Sequence, residues 1–314
     1  MSRQEHVSPE GLADATLPYV AYGSLRPGQP AFRRIERYVL SAQDVQLRGA
    51  LIVRDGLPLL EPARNGGGDP ILATLILFKQ GKQQEAYEAV QAFEPGQHYR
   101  WLEVEIAGRL VNALVGHGIT DGERLHCRFD EPVWSSWRDP VFTYGLSAVR
   151  QVVDADAGDE FTSAPSHAFD WRRFFSLQMA YLLLWSSVER YCALAFGPDV
   201  SPSDKLRRLA KDPFAKNRLR LVTRQDEVRD VRDPSNVYSL GANAYDSLHY
   251  YYQVRNNLSH RGKGAWYDAE KVRLSLVEMT SVMEDLIADG LNGEGSAIQS
   301  RDWLGATDAL VPSD

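Results

Sequence analysis

The chain has 314 residues, 44% of them hydrophobic and 25% charged, and a formal net charge of -7. This length favours two domains with ordinary globular cores, and the acidic balance argues against indiscriminate binding of nucleic acid. The two cysteines, Cys127 and Cys192, lie far apart without metal-ligand spacing, which favours a reducing compartment and no disulfide framework. No segment resembles a signal peptide, and the longest apolar run, residues 179–185, is too short to cross a bilayer. We therefore expect a cytoplasmic protein with no membrane partner.

The first half of the chain alternates short apolar runs with glycine and proline, a pattern typical of strands joined by turns. Mixed strands with few helices predict a small closed or strongly bent sheet with helices packed on it, within an α+β protein. We predict strands at residues 19–22, 46–53, 71–78, 101–106 and 109–115, helices at 31–38 and 83–93, and a loop at 65–69.

A connecting region follows the predicted sheet. The aromatic residues Trp134, Trp137, Phe142 and Tyr144 indicate a packed segment, because exposure of so many aromatic rings would be unfavourable. Residues 154–168 are rich in acidic, Gly, Ser, Thr and Pro residues, which is typical of a linker. We therefore predict one domain over residues 1–153 and a second after residue 168.

The second half predicts a different kind of domain, an all-α bundle over residues 169–288. Residues 169–196 contain neither Gly nor Pro and predict one helix of roughly 40 Å at the usual rise. The tail, residues 289–314, is rich in Gly, Ser and Asp and is expected to be flexible. Further helices are predicted at residues 204–211, 245–260 and 268–287.

A glycine-containing loop follows the first predicted strand, where the backbone can approach a ligand closely and successive amides can bind a carboxylate or carbonyl. This loop resembles the Tyr-Gly-(Ser or Thr)-Leu-Arg-x-Gly loop of gamma-glutamylcyclotransferase-like proteins. The resemblance implies that Tyr22, Gly23, Ser24 and Leu25 bind a glutamyl group. The loop reads Tyr22-Gly23-Ser24-Leu25-Arg26-Pro27-Gly28.

The second part of the same resemblance lies at the end of the second predicted helix. Residues 93–96 read Phe-Glu-Pro-Gly, and Tyr99 follows shortly afterwards. The family cyclises a gamma-glutamyl amine to 5-oxoproline and a free amine, and its general base is a Glu at the position of Glu94. A carboxylate with a raised pKa suits proton transfer from an amine. The resemblance implies that Glu94 is this base and that Tyr99 lines the pocket; the alternative is that Glu94 is only a surface carboxylate at a helix end.

A second motif lies late in the chain and combines arginine, asparagine and histidine. Histidine can hold or release a proton near neutrality, and arginine can stabilise phosphate oxyanions through paired donors. Within a predicted helix, the pattern Arg-Asn-x-x-x-His resembles the signature of HEPN domains, many of which are metal-independent ribonucleases acting as toxins or antiviral effectors. The motif reads Arg255-Asn256-Asn257-Leu258-Ser259-His260.

The HEPN resemblance implies that Arg255, Asn256 and His260 are catalytic, that RNA such as tRNA is the substrate, and that neither a metal nor a cofactor takes part. Asn256 and His260 share a helix face, whereas Arg255 and His260 are about 140° apart on an ideal helix. Either the helix ends near Ser259, or two copies each supply part of one cleft; the resemblance implies the second, a homodimer. The alternative is a helix end at which His260 only complements the helix dipole.

Basic residues cluster before this motif, and Asp212 is the acidic residue among them. The cluster predicts either a phosphate-binding patch or a solvated helix face, and the sequence does not decide between the two. Its members are Lys205, Arg207, Arg208, Lys211, Lys216, Arg218, Arg220 and Arg224.

Together these patterns predict a gamma-glutamylcyclotransferase-like domain fused to a HEPN domain. The favoured function is a metal-independent endoribonuclease, a toxin or antiviral-defence effector, regulated by a small gamma-glutamyl-type ligand. The alternative is a gamma-glutamylcyclotransferase-type enzyme in which the HEPN bundle only dimerises. A third interpretation is a binding protein in which both sites are inactive.

Overall fold

The computed structural model describes residues 11–12, 14–63, 67–94, 96–156, 158, 161, 169–197, 200–241, 243–260 and 268–297, without the side chains of His260 and residues 293–297. The protein is mixed α and β and divides into two compact units. Among the described residues, unit 1 comprises residues 11–136 and 292–297, and unit 2 is Trp137–Leu291.

Unit 1 contains a nearly closed sheet. In its described part seven strands join in the order β3-β2-β4-β1-β6-β5, with β7 paired to β2. Strands β1 and β6 run parallel, and the other pairs are antiparallel. The strands are β1 (Tyr19–Ala21), β2 (Val39–Arg54), β3 (Leu57–Pro62), β4 (Asp69–Phe78), β5 (Tyr99–Ile106), β6 (Arg109–Gly116) and β7 (Arg128–Phe129).

Two tight hairpins fix the register of this sheet. Asp55 and Gly56 join β2 to β3, and Ala107 and Gly108 join β5 to β6. All four residues have positive φ, between 50° and 80°. Positive φ at both central residues is the type I′ geometry, whose twist matches that of the flanking strands. Short-range chemistry therefore sets the alignment of both edges.

Apolar side chains cover both faces of the sheet. On one face, Tyr19 and Trp101 contact Tyr87 of helix α1 (Gln83–Phe93), and their ring centroids lie 5.3 to 6.2 Å from that of Tyr87. Val20 and Tyr22 belong to the second core on the other face. Alternation of successive side chains along β1 explains this division. Unit 1 also contains 3-10 turns at Pro30–Arg34 and Glu36–Tyr38 and helix α2 (Asp121–His126).

Two tyrosine hydroxyls join β3 to the strands at the other end of the sheet. The Tyr22 hydroxyl donates a hydrogen bond of 2.6 Å to the Leu114 carbonyl on β6 and accepts one of 3.2 Å from the Leu60 amide on β3. The Tyr99 hydroxyl of β5 donates a hydrogen bond of 3.0 Å to the Pro58 carbonyl on β3. These hydroxyls form hydrogen bonds with backbone groups that are not paired with a neighbouring strand. We call the region between β3 and strands β5 and β6, which the two tyrosines bridge, the seam.

Unit 2 is mainly helical. Its long helix α4 begins after Asp170, whose side chain caps the Arg173 amide, and α5 and α6 begin after the caps Ser201 and Asp212. A two-stranded antiparallel hairpin, β8–β9, packs with α7. The elements are α3 (Leu146–Ala155), α4 (Trp171–Phe196), α5 (Pro202–Leu209), α6 (Pro213–Leu219), β8 (Asp226–Arg229), β9 (Val237–Leu240), α7 (Ala244–His260) and α8 (Ala269–Ala297), the last of which continues beyond the unit.

A polar network connects the hairpin of unit 2 to its last two helices. Arg224 forms a two-pronged ion pair with Glu278 on α8, at 2.8 and 3.0 Å, and contacts Asp226 on β8 at 2.6 Å. Hydroxyls of two α7 tyrosines also belong to it, Tyr250 to Asp226 at 2.7 Å and Tyr251 to Glu278 at 3.0 Å. Fully satisfied networks of this kind specify one packing arrangement.

Several predicted elements differ from the structure. Helix α1 has its predicted bounds, but residues 31–38 form 3-10 turns, and β3, β7, α2, α3 and α6 were not predicted. The prediction of an all-α second domain is wrong, because β8 and β9 are strands.

Helix α8 covers residues 289–297 of the tail that was predicted to be flexible, and residues 298–314 lie outside the described residues. Of the predicted loop at 65–69, residues 65 and 66 lie outside the described residues, as do 157, 159–160 and 162–168 of the predicted linker. In the described part of the chain, no helix is both long and apolar enough to cross a membrane.

Candidate functional site

A narrow pocket lies at the seam of unit 1, and it brings together every residue that the first resemblance singled out. Glu94 reaches it from the end of α1, Tyr99 from the start of β5, and the loop that follows β1 supplies the rest. The lining residues are Tyr19, Tyr22, Gly23, Ser24, Leu25, Pro58, Glu94, Tyr99 and Leu114. Residues far apart in sequence therefore form one site.

The loop after β1 is a compact turn that places backbone amides at the pocket. The Arg26 amide donates a hydrogen bond of 3.1 Å to the Gly23 carbonyl and closes the turn. Ser24 and Leu25 are buried, and within the described part of the chain no acceptor takes a hydrogen bond from either amide. Two adjacent buried donors of this kind can bind a carboxylate or carbonyl oxygen.

Gly23 is required at its position because β3 approaches it closely. A Cβ atom built there would lie 2.8 Å from Cγ of Pro58, closer than real Cβ contacts occur. The absence of a side chain therefore lets the loop pack against β3 and keeps the amides of Ser24 and Leu25 beside the pocket.

Glu94 is electrostatically unusual. It is the residue after α1, where its amide donates a hydrogen bond of 3.2 Å to the Val90 carbonyl. Burial of its carboxyl raises the pKa to about 8, although the nearby Arg34 guanidinium acts to lower the pKa. The residue as a whole has intermediate burial and is one of those that line the pocket.

Three tyrosines surround the Glu94 carboxyl. Burial, and secondly the negative charge of Glu94, raises the pKa of Tyr19 and of Tyr99 above the ordinary tyrosine value. Burial is also the main cause of the raised pKa of Tyr22. All three hydroxyls therefore stay protonated at neutral pH. Those of Tyr22 and Tyr99 already bond backbone groups across the seam, so these two residues act as walls of the pocket.

Arg34 is a site residue that the sequence did not reveal. It ends the 3-10 turn Pro30–Arg34, and its guanidinium lies over the Phe93 ring at 4.5 Å from the ring centroid. Phe93 directly precedes Glu94, so the stacking holds a cation near the carboxyl. In the sequence, Arg34 is recognisable only as a basic residue a few positions after the motif loop. Basic residues at such positions are common on protein surfaces.

The pocket is small in this conformation. Its cavity volume of about 10 Å³ corresponds to roughly one water molecule. A glutamyl group can therefore enter only if the walls move apart. At the seam, tyrosine hydroxyls take the place of a continuous ladder, so this wall can shift without breaking strand pairing.

The second motif lies on α7 of unit 2. Arg255 contacts the Glu189 carboxylate of α4 at 3.3 Å, and its guanidinium lies 6.0 Å from the centre of the Tyr252 ring. Asn256 is half-buried beside it, with its side-chain oxygen 3.5 Å from the arginine. The structure thus brings together Arg255, Asn256 and Glu189. His260 is the last residue of the helix, and its side chain lies outside the described residues.

The neighbouring Asn257 has a different environment. Its side chain accepts hydrogen bonds from the Val231 amide at 3.2 Å and from Gln253 at 2.9 Å, and it donates one of 2.8 Å to the Arg229 carbonyl. Asn257 therefore fastens α7 to the β8–β9 hairpin. The two asparagines of the motif have opposite tasks, and only Asn256 is available beside the arginine.

The basic residues before α7 are partly neutralised. Arg207 pairs with Asp204, Arg218 pairs with Asp285 at 2.8 Å, and Arg224 lies in the network described above. The exposed cations Lys211, Lys216 and Arg220 have no carboxylate partner among the described residues. This distribution favours a solvated surface over a continuous phosphate-binding patch.

Comparisons with known proteins do not identify a family. No protein-family model matches the chain, and no curated protein matches it. The crystal structure of the uncharacterized protein PH0828 from Pyrococcus horikoshii is similar at 18% identity, covering 37% of this chain and 88% of that one, with a TM-score of 0.29. A similarity at this level carries no argument about activity. Among the described residues, no group of three or more His, Cys, Asp or Glu side chains is arranged to hold a metal ion.

Proposed function

We propose that unit 1 is a gamma-glutamylcyclotransferase-like module that binds a small gamma-glutamyl-type ligand. The observation that carries this proposal is a carboxyl with a pKa of about 8, on Glu94, in the same pocket as the buried amides of Ser24 and Leu25. A base and two oxyanion donors in one small pocket are the groups that acyl transfer from an amide requires.

The chemistry is an intramolecular displacement. The substrate's α-amine attacks its own side-chain amide carbon, so that a carbon–nitrogen bond forms within a five-membered ring. Glu94 takes the proton of the attacking amine, and the amides of Ser24 and Leu25 stabilise the negative oxygen. The bond to the departing nitrogen then breaks as Glu94 returns the proton, which yields 5-oxoproline and a free amine. A pKa near that of the reacting amine favours transfer in both directions.

Release of 5-oxoproline tests this proposal directly. Purified protein is incubated with gamma-glutamyl amino acids and gamma-glutamyl amines, and 5-oxoproline is measured by mass spectrometry. Glu94→Gln keeps the size of the side chain and should abolish release, whereas Glu103→Gln, which changes an exposed carboxylate on β5, should not. If the wild type neither releases 5-oxoproline nor binds these compounds by calorimetry, the proposal is wrong. Binding without release would indicate a sensor.

A second candidate function belongs to unit 2, which we propose to be a HEPN domain with endoribonuclease activity. The favouring observation is the cluster of Arg255, Asn256 and Glu189 at neighbouring positions of α7 and α4. In this mechanism the RNA 2′-hydroxyl attacks the adjacent phosphate, His260 transfers the proton, and Arg255 stabilises the charge on the phosphorane. Asn256 orients the phosphate or the histidine, and Glu189 positions the arginine.

The ribonuclease proposal predicts cleavage of total RNA or tRNA that persists in EDTA, with products ending in 2′,3′-cyclic phosphates. His260→Ala and Arg255→Ala should each reduce cleavage by orders of magnitude at an unchanged melting temperature. Arg109→Ala removes an exposed cation from β6 of unit 1 and is the matched control. Equal cleavage by wild type and His260→Ala would rule the proposal out and leave the bundle as a scaffold.

The two proposals are compatible within one protein. Their presence in a single chain favours an effector of the toxin or antiviral kind, acting in the cytoplasm, in which the ligand of unit 1 regulates RNA cleavage by a dimer of unit 2. The alternative is a small-molecule enzyme with a non-catalytic helical domain. The 5-oxoproline and RNA assays separate these outcomes, because each can succeed without the other.

A further inference from the structure

Strand β5 lies at one end of the strand order of unit 1. Strand β6 pairs with it along its whole length, and in the described part of the sheet no strand pairs with its other side. The eight residues of β5 include neither Gly nor Pro, and its register with β6 has no bulge. A regular strand with an unpaired side presents amides and carbonyls that a further strand can bind.

The register identifies the backbone groups on this unpaired side. On β6, the Asn112 amide donates a hydrogen bond of 2.8 Å to the Pro18 carbonyl, away from β5. The neighbours of Asn112 in β6 therefore point towards β5, where they pair with residues 102 and 104. By alternation, the backbone groups of Glu103 and Glu105 point outward, and among the described residues nothing accepts a hydrogen bond from either amide. Trp101 is buried, so we call residues 102–106 the open edge.

Side chains of the open edge differ between the two faces of the sheet. Glu103 and Glu105 are exposed on one face, whereas Leu102, Val104 and Ile106 are partly buried against the core on the other. Side chains directly opposite each other on paired strands interact, and opposite charges stabilise the pair. A strand that fits this edge therefore carries basic side chains on the first face and aliphatic side chains on the second.

The other end of the strand order cannot bind a strand in the same way. The backbone groups of Pro58, Leu60 and Pro62 face away from β2 on β3, because the Leu60 amide bonds the Tyr22 hydroxyl at 3.2 Å. The two prolines have no amide to donate, and that of Leu60 is already in use. Of the two ends of the described strand order, β5 is thus the one with available donors.

We propose that the open edge binds an extended segment of another protein in which basic and aliphatic residues alternate, added antiparallel to β5 as a further strand. Each of two basic residues of the partner lies opposite Glu103 or Glu105 and exchanges both backbone hydrogen bonds with it. The aliphatic residue between them packs beside Val104. Main-chain bonds supply the affinity and the alternating side chains supply the specificity. This proposal does not rest on either proposed activity.

Charge excludes the nearest alternative occupants of the open edge. A second copy of β5 would set glutamate directly opposite glutamate on the same face, and like charges in this position destabilise a strand pair. The ends of the chain lack the alternating pattern as well. Residues 1–10 contain Arg3 and His6, three positions apart and so on opposite faces of a strand, and residues 298–314 contain the single basic residue Arg301.

The first experiment uses a blocked synthetic peptide of alternating Lys and Val, at physiological ionic strength, where distant charges are screened. Hydrogen exchange of the full chain is followed by NMR at single amides. The peptide should slow exchange at Glu103 and Glu105 by at least about tenfold near saturation, whereas the Val104 amide, already paired with β6, should not change. Three results overturn the proposal: no binding up to about 1 mM peptide, binding without protection of these two amides, or amides of Glu103 and Glu105 already as protected as that of Val104 in the free protein.

The second experiment separates strand pairing from simple charge attraction by changing the peptide. A peptide of the same composition, with all Lys before all Val, should bind at least about tenfold more weakly. N-methylation of the Lys amides, which point towards β5 in an antiparallel pair, should abolish binding, and N-methylation of the Val amides should not. Equal binding of the rearranged peptide, or the same effect from both sets of methyl groups, contradicts strand addition.

A charge reversal tests the choice of partner. Glu103→Lys combined with Glu105→Lys should weaken binding of the Lys–Val peptide by about tenfold or more and should allow binding of a Glu–Val peptide. Glu36→Lys combined with Asp130→Lys reverses two other exposed carboxylates of unit 1 and is the matched control. All four side chains are exposed, so neither double variant should alter the melting curve. Equal loss of binding in both double variants overturns the proposal.

Discussion

Replacement of Glu94 by Gln should change how stability depends on pH. The pKa of this carboxyl is about 8 in the folded protein, against an ordinary value of 4.5. Between these values the folded protein keeps a proton that the unfolded chain has released. Stability conferred by the protonated carboxyl is complete below pH 4.5 and is lost as pH rises towards 8. Glu94→Gln has no titrating group at this position, so its stability should not fall in this way as the pH rises.

The size of the effect follows from the same pKa difference. A shift from 4.5 to about 8 corresponds to at most about 5 kcal/mol, with a slope of at most about 1.4 kcal/mol per pH unit. The actual effect is smaller than this upper bound, because relaxation of the structure and entry of water partly solvate the ionised carboxyl, and we expect about 2 kcal/mol. Glu94→Gln should therefore match the wild type near pH 4.5 and be about 2 kcal/mol more stable at pH 9.

Urea unfolding at half-unit pH intervals from 4.5 to 9 measures this difference. The signal should report unit 1, for example pulsed hydrogen exchange read by mass spectrometry on the peptide that contains Trp101 in the core beside α1, because seven tryptophans contribute to the fluorescence. Glu103→Gln, which removes an exposed carboxylate from β5, controls for the loss of one negative charge. If Glu94→Gln and wild type have parallel stability curves, the carboxyl is not desolvated, and its proposed role as a base loses its physical support.

Two further substitutions test how the sites are built. Gly23→Ala places a Cβ 2.8 Å from the Pro58 ring and should lower the free energy of unfolding by about 1–3 kcal/mol, measured by urea titration. Gly122→Ala in α2, where the nearest atom is 4.0 Å away, should be neutral or stabilising. Asn257→Ala should lower the free energy of unfolding by about 1–3 kcal/mol, because backbone groups of the hairpin lose their hydrogen-bond partner. Asn256→Ala should change stability by less than about 0.5 kcal/mol, and equal losses at both asparagines would contradict their division of tasks.

The local sequence pattern was sufficient to predict an element when its own residues show the composition and spacing typical of that element. Helix α1 contains neither Gly nor Pro and has its buried residues Ala86, Tyr87 and Val90 at helical spacing, so its bounds could be predicted. Strand β8 has the sequence Asp-Glu-Val-Arg, in which only Val228 is buried. Its strand form depends on pairing with β9 and on packing against α7, which are tertiary effects that no short window shows.

The membership of the candidate sites was easier to predict than their electrostatics. A resemblance to one loop and one glutamate was enough to group Tyr22–Leu25, Glu94 and Tyr99. The raised pKa of Glu94 and the position of Arg34 depend on burial and on a 3-10 turn, and neither is visible in the sequence. The same holds for Asn256 and Asn257, adjacent residues whose tasks differ because the hairpin packs on only one side of α7.

Pro58 explains both a missed strand and the form of the pocket. A proline within a short apolar run argues against a strand, because it has no amide to donate and is tolerated mainly at sheet edges. Strand β3 is such an edge: it pairs with β2 on one side, and on the other the Pro58 carbonyl accepts the Tyr99 hydroxyl at 3.0 Å. The same proline packs against Gly23 and lines the pocket beside Glu94. On that side β3 is held by side chains and not by a ladder, so the feature that hid β3 from prediction also shapes the one wall of the pocket that can shift without breaking backbone pairing.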